Sequence, residues 1–309
     1  MRIAIIDLGT NTFNLLVADV MSRGEFKTIF STKIAVKLGE GGIGRRTIVP
    51  AAFDRGINAL RSHRAIIDKL KAQKIIAFAT SAIRSAQNGA KFVAAAKKEA
   101  GIEIQVIPGE REAELIAAGV RLALDIGEAP ALILDIGGGS NECIIATRDT
   151  ILWKQSFEMG VARLLERFKP SDPVTAGEVD SMENYFREGL QPLFEAVKRF
   201  PVTELIGASG SFDTFSAMIA HQFHSPGVLK GRSEFIFNMN EYAQVHEQLL
   251  RSTEKERYHT PGIIPLRVDM IVIASVLVNF LIRELGLKAM RMSTYSLKQG
   301  VLAEVMQNY

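Results

Sequence analysis

Two segments of this sequence carry the residue types that hold phosphate. Residues 7–12 (DLGTNT) and 135–140 (DIGGGS) each follow an apolar run and open with an aspartate two places ahead of a glycine. Turns rich in glycine and small hydroxyl residues expose several backbone N–H groups at once, and such nests bind phosphate oxygens. An aspartate ending the preceding strand adds a hard oxygen ligand suited to Mg²⁺, which pairs with phosphates and keeps much of its water. One such turn reads equally as a hairpin that needs glycine for positive φ. Two in the same register favour phosphate binding: Asp7 aligns with Asp135, Gly9 with Gly137 and Ala18 with Ala146.

Other segments signal less. Residues 206–212 (IGASGSF) run from a strand end into a helix start, where an anion would meet the positive end of the helix. Ser209, Gly210 and Ser211 would be the contacting residues, although Ser211 also serves as an ordinary N-cap without any ligand. On the residues alone, Glu110, Glu112 and Glu114 read as first-turn acids complementing a helix dipole, and Arg84 as a surface charge at a helix end. Residues 39–44 (GEGGIG) fit a dinucleotide-type glycine pattern literally, but Arg45, Arg46 and Pro50 follow where a helix should begin. Beside two arginines this loop is a candidate contact for an extended anion. His221 and His224 lack a clear third ligand, which argues against zinc. Cys143 is expected to be buried rather than reactive, and Arg267 with Asp269 to form a local pair or cap.

Turns of this kind need strands that end at them. Residues 2–7 and 14–20 read as a strand pair around the first turn, and 131–136 and 143–147 as a pair around the second. Residues 26–38 read as a further strand, and the spacing of Phe53, Ile57, Leu60, Ile66, Ile67 and Leu70 predicts a helix over 50–71. A strand at 75–79, a helix over 88–100 stopped by Gly101, a strand at 102–107 and a helix over 110–124 follow. After 125–130, an expected connection between domains, the pattern restarts as an internal repeat. Helices are expected over 176–199, 240–251, 266–285 and 296–306, with strands at 203–206 and 289–292. Alternating strands and helices predict an α/β fold of two related domains, 1–125 and 126–309, facing across a cleft, with the last helix packing back on the first.

Composition narrows the class. A length of 309 residues suggests about two domains, and 47% hydrophobic with 23% charged residues excludes a disordered chain. The net charge of +3 permits a polyanionic ligand without demanding one. A single cysteine removes any intramolecular disulfide framework and points to a reducing, cytoplasmic setting. No secretory signal pattern opens the sequence, and the apolar run at 270–282 is too short to span a bilayer. No basic-aromatic pattern of a nucleic-acid module appears, so neither membrane nor nucleic acid is an expected partner.

Taken together the motifs resemble the duplicated actin-like, sugar-kinase and Hsp70 ATPase (ribonuclease H-like) superfamily. Within it they resemble the exopolyphosphatase and guanosine pentaphosphate phosphohydrolase (Ppx/GppA) family. The resembling segments are IDLGTNTFNLLVAD at 6–19, ATSAIRSAQNG at 79–89, IPGEREAELIAAGV at 107–120 and LILDIGGGSNECII at 132–145. FEMGVARL at 157–164, IGASGSFDTFSAM at 206–218 and RMSTYSLKQGVL at 291–302 extend the likeness over essentially the whole chain. The resemblance implies that Glu112 is the general base for an attacking water, that Arg84 faces phosphate, and that Asp135 and Glu142 sit on the Mg²⁺ side. It implies phosphate contacts from Asp7, Gly9, Thr10, Asn11 and Thr12 on one wall, and from Gly138, Gly139, Ser140, Ser209, Gly210 and Ser211 on the other. Thr12, Asn14, Ser211 and Lys298 depart from the usual Ser, basic residue, Thr and Arg. Longer members append a helical region related to His-Asp phosphohydrolases, and this chain has no His-Asp dipeptide, which puts processive handling of long chains in doubt. The implied activity is Mg²⁺-dependent removal of terminal phosphate from inorganic polyphosphate. Guanosine pentaphosphate hydrolysis, ATP-dependent phosphotransfer and a non-catalytic polyphosphate or alarmone sensor stay open, with a homodimer as the assembly common among such proteins.

Overall fold

In the computed structural model, which describes residues 1–21, 25–208 and 210–307, β1 (Arg2–Leu8) buries an apolar run, Ile3 to Ile6 and Leu8, on both faces. A strand of that kind belongs in the middle of a sheet covered on both sides. It sits between β2 (Thr12–Val20) and β4 (Lys74–Ala79), with β3 (Phe26–Ala35) and β5 (Ile104–Val106) at the edges, in the order β3-β2-β1-β4-β5. The first three strands form an antiparallel meander, and β4 and β5 run parallel to β1.

The second sheet repeats this plan. Its strands are β6 (Ala131–Ile136), β7 (Asn141–Ala146), β8 (Ile151–Phe157), β9 (Glu204–Ala208), β10 (Glu234–Ile236) and β11 (Ala289–Ser293). The order β10-β11-β9-β6-β7-β8 is that of the first sheet with one strand added at an edge. β6, β7 and β8 are antiparallel, while β9 and β11 run parallel to β6. The repeat extends to irregularities: the ladder slips at Val17/Ala18 in one sheet and at Ile145/Ala146 in the other. The architecture is therefore a duplicated actin-like α/β fold.

Alternation along the central strands divides the core into three layers. Ala4, Ile6 and Leu8 face α1 (Pro50–Lys69), α2 (Ser81–Ser85) and α3 (Gly89–Ala100). Ile3 and Ile5 point the other way, into a layer that also receives Ala131 and Ile133 from β6. That shared layer is filled by α4 (Gly109–Ala123) and by the last helix of the chain. On the far side of the second sheet, Leu132, Leu134 and Ile136 pack under a helical layer. Its elements are α5 (Val161–Phe168), α6 (Ala176–Gly189), α7 (Gln191–Arg199), α8 (Ser211–Phe223), α9 (Met239–Arg251), α10 (Glu254–His259) and α11 (Ile271–Glu284). The last helix, α12 (Leu297–Gln307), lies on α4 and reaches β1 and β2. The two helices touch at backbone level: a Cβ added at Gly300 would lie 1.8 Å from the Leu115 carbonyl oxygen, and one at Gly119 would lie 2.1 Å from that of Ser296.

Several elements differ from the sequence expectation. The helix expected over 176–199 is two helices, because Pro192 opens a new one at its first turn. The long apolar helix begins at Ile271, after a short 3₁₀ turn at Pro265–Arg267, and not at 266. β8, β10, α2 and α10 are half-buried or too short to stand out in the sequence, and α5, although strongly amphipathic, spans only about two turns. No described helix is long and apolar enough to cross a membrane.

Candidate active site

The two aspartate turns are built alike. Gly9 N–H donates to the Thr12 carbonyl at 3.0 Å, and Gly137 N–H donates to the Ser140 carbonyl at 3.0 Å. Asp7 pairs across its hairpin with Asn14, and Asp135 pairs with Glu142 at the equivalent register. The turns also face each other. A Cβ at Gly138 would lie 2.6 Å from Asn11 Nδ2, and one at Gly139 would lie 2.5 Å from both Thr10 Oγ1 and Ser81 Oγ. A Cβ at either glycine would displace those side chains from the meeting point of the turns.

Between the turns lies a cavity of about 490 Å³. Asp7, Gly9, Thr10, Asn11 and Thr12 line one side, and Asp135, Gly138, Gly139, Ser140, Glu142 and Gly210 line the other, with Glu112 also on the wall. Arg84 is not a lining residue but reaches the site through Glu112: its Nη1 donates to Glu112 Oε2 at 2.9 Å and to the Ile107 carbonyl at 3.0 Å. Ser211 is buried at the start of α8, outside the lining. Ser209 lies outside the described residues. Thr10 Oγ1 and Ser81 Oγ are buried without a hydrogen-bond partner among the described residues. Two orphaned hydroxyls where the turns meet suit a ligand rich in oxygen.

The carboxylates of this site are crowded and dry. Burial drives the Glu112 carboxyl well above its usual range, Glu142 adds repulsion, and Arg84 opposes both. Asp135 is pushed up to about 7 by burial, held back by the Ser296 hydroxyl that donates to its Oδ2 at 2.5 Å. Burial also raises Glu142, against hydrogen bonds from Ser156, at 2.6 Å, and from Ser140. Asp7 is raised by burial too, against the nearby Lys298 and the Asn14 amide that donates to it at 3.0 Å. Cys143, next in line on β7, is buried, and burial drives its thiol upward.

Three cations of the cavity wall, Lys33, Arg267 and Lys298, went unmarked as site residues in the sequence, and Arg267 and Lys298 are the more buried of them. Arg267 is not a local partner of Asp269, which instead accepts from Lys37 Nζ at 3.1 Å. It lines the cavity, close enough that a Cβ at Gly210 would lie 2.9 Å from its Nη2. Lys298 lines the cavity as well, and burial disfavours the charge of both. Neither side chain makes a hydrogen bond or ion pair among the described residues, although Asp213 and Asp135 lie within electrostatic reach of each. Nothing but a turn containing Pro265 ahead of an apolar helix distinguishes Arg267 in the sequence.

A model of the Ppx/GppA phosphatase family matches residues 16–309. The chain belongs to that family. It is 29% identical to exopolyphosphatase 2 of Mycobacterium tuberculosis, over 97% of this chain and 97% of that protein. Among solved structures, an exopolyphosphatase from Cytophaga hutchinsonii is 40% identical and superposes with a TM-score of 0.97, covering 100% of this chain and 98% of that one. A Ppx/GppA enzyme from Aquifex aeolicus, 23% identical over 98% of this chain and 99% of its own, shares the fold with a TM-score of 0.80.

No three His, Cys, Asp or Glu side chains among the described residues are arranged as a closed metal cage. Asp135 and Glu142 nonetheless face the cavity as adjacent hard-oxygen donors whose mutual repulsion a divalent cation would relieve. That donor set fits a cation that keeps water and takes further oxygens from a phosphate, as Mg²⁺ does.

Proposed function

We propose that this protein is an exopolyphosphatase that hydrolyses the terminal phosphoanhydride bond of inorganic polyphosphate in the cytoplasm. The observation that carries the reading is the placement of Glu112, a buried carboxylate braced by Arg84 on the wall of a cavity formed by two opposed glycine turns. In the proposed reaction the oxygen of a water attacks the terminal phosphorus in line. Its proton passes to a Glu112 carboxylate oxygen, and the bridging P–O bond breaks. The shortened polyphosphate leaves with that electron pair. A carboxyl raised by burial is a stronger base than an exposed one, and a base so placed contributes roughly 10²–10⁴-fold. Asp135 and Glu142 would hold Mg²⁺, which when bound supplies charge neutralisation for the terminal phosphates. Backbone N–H groups of the two turns, with the Thr10 and Ser81 hydroxyls, would orient the phosphoryl oxygens.

The lining also bears on substrate. No aromatic side chain occurs among the described residues of the cavity wall. Nucleobase recognition commonly uses an aromatic stacking face. A wall of carboxylates, hydroxyls, glycines and the cations Lys33, Arg267 and Lys298 suits a bare phosphate chain better than guanosine pentaphosphate. The test is phosphate release from short polyphosphate, long polyphosphate, guanosine pentaphosphate and ATP, by wild type and by Glu112→Gln. Short polyphosphate should be the best substrate. Glu112→Gln should bind it but release phosphate at least about 100-fold more slowly. Equal release by the two proteins would remove Glu112 as base, and ADP formation from ATP without polyphosphate cleavage would overturn the exopolyphosphatase reading.

A further inference from the structure

Arg163, on the first turn of α5, joins segments from both halves of the chain and lies outside the set of residues assigned to the reaction. Its side chain is 14% exposed, and its guanidinium makes three hydrogen bonds, each to a different segment. Nε donates to the Gly139 carbonyl at 2.8 Å, on the second glycine turn. Nη1 donates to the Ile43 carbonyl at 3.1 Å, in the 39–44 glycine loop. Nη2 donates to Ser85 Oγ at 3.0 Å, on α2 next to Arg84. Backbone bonds reinforce this junction. Val161 N–H donates to Gly137 O at 3.0 Å, Ala162 N–H to Gly138 O at 2.9 Å, and Gly44 N–H to the Glu166 carboxylate at 3.2 Å.

The three acceptors separate the functions of the site. Gly139 belongs to the turn that would cradle phosphate on the second sheet. Ser85 belongs to the short helix whose Arg84 holds Glu112. Connecting these points through one planar, charged fork fixes the distance between the phosphate cradle and the base, whichever ligand is bound. A guanidinium can direct three N–H groups outward in one plane, and an ammonium cannot reproduce that spread. The 39–44 glycine loop, which lacks the helix a nucleotide motif requires, then serves as the third anchor of the same fork. We propose that Arg163 is a positioning residue for the hydrolysis, holding the Arg84–Glu112 pair in register with the Gly138–Gly139 turn. The proposal rests on the exopolyphosphatase reading.

Because both turns keep their own N–H groups, losing Arg163 should leave binding largely intact and misalign the attack. A displacement of about 1 Å between reacting groups costs on the order of 100-fold. The experiment measures kcat and KM on tripolyphosphate with Mg²⁺, and amide hydrogen exchange, for the full-length wild type, Arg163→Lys, Arg163→Gln and Ser85→Ala. Arg163→Lys should lower kcat by roughly 30-fold or more with KM within about threefold. Exchange should rise about tenfold in peptides covering 39–47 and 137–141, on opposite sheets, and stay at the wild-type rate in α9. Ser85→Ala removes one anchor and should lower kcat about three- to tenfold; it carries the test should the Arg163 variants fail to fold. A wild-type kcat in Arg163→Lys, a loss expressed in KM instead, or exchange rising evenly along the chain would overturn the proposal. Wild type inert on tripolyphosphate would defeat the exopolyphosphatase reading, and the exchange pattern would still judge the clasp.

Discussion

Replacing Asp135 by Asn should stabilise the metal-free protein while disabling it. The Asp135 carboxyl is raised to about 7 in the fold, against 3.8 for the free side chain, chiefly by burial and then by Glu142 and Asp7. A group raised in this way favours the folded state at low pH. Its contribution is complete below the unfolded value near 3.8 and is lost as pH climbs through about 7. At pH 8 the cost of keeping that carboxylate charged integrates to roughly 4 kcal/mol, at about 1.4 kcal/mol per unit, and at pH 4 to less than about 1 kcal/mol. Asn keeps an oxygen for the Ser296 hydroxyl now 2.5 Å away, and its amide can donate to neighbouring carboxylates. Asp135→Asn should therefore melt roughly 6 °C above wild type at pH 8 in a chelator, the gap closing toward pH 4. Because Asp7, Glu112 and Glu142 share the field, the measured slope belongs to the cluster. Scanning calorimetry at several pH values with and without Mg²⁺ is the assay. Mg²⁺ should raise the wild-type melting temperature at pH 8 and move the variant much less. A variant melting at or below wild type at pH 8 in the chelator, or above it by the same margin at every pH, would refute the burial argument, and an equal Mg²⁺ shift in both proteins would refute the assignment of Asp135 to the metal side.

Two further outcomes test other parts of the structure. Gly300→Ala forces a methyl against the Leu115 carbonyl, with backbone on both sides, and should lower unfolding free energy by about 3 kcal/mol or more in a urea titration. A neutral result would mean that α4 and α12 do not meet there. Lys298→Met removes a buried cation facing Asp7 and Asp135, and should raise KM for tripolyphosphate about tenfold at fixed ionic strength and lower kcat with it. An unchanged KM would take Lys298 out of the phosphate path.

The parts of this fold legible in the sequence are those with local causes. The hairpins around Asp7 and Asp135 announce themselves because strands buried on both faces are continuous apolar runs, broken only where glycine and hydroxyl residues turn the chain. Their common register could be aligned by eye, and it persists down to matching ladder slips. The sites of Arg267 and Lys298 depend on a distant contact in each case, between the approach to α11 or α12 and turns far away in the chain, which no local pattern encodes. Arg163 is similar: its acceptors lie in the 39–44 loop, α2 and the Gly139 turn, and only the closed arrangement of two sheets brings them to one guanidinium. Glu112 falls between these cases. Its position in the first turn of α4 looks like a helix-dipole acid, and the same position is what aims it, since α4 lies in the shared layer between the sheets with its N-terminus at the cavity.

Charge distribution within the cavity gives a direction to the proposed substrate. Arg84 acts on Glu112 and Glu142, whereas Lys33, Arg267 and Lys298 gather around Asp213, and Lys298 and Arg267 also reach Asp135. The carboxylates thus form a band with cations at either end. A lone phosphate would gain little from such a layout, because the anionic band repels it from the position in front of Glu112. On the proposed reading a chain of phosphates is met differently: Asp135 and Glu142 would hold a divalent cation that neutralises the terminal phosphates, and Lys298 and Arg267 would meet the phosphates behind them. On the proposed reaction those interactions farther along the chain would hold the terminal phosphoryl group toward Glu112. Binding at the remote end supports chemistry at the near end, which is how a site dominated by carboxylates can act on a polyanion. On this layout, shortening the substrate to pyrophosphate should lower kcat as well as raise KM, because the remote cations would lose their partner.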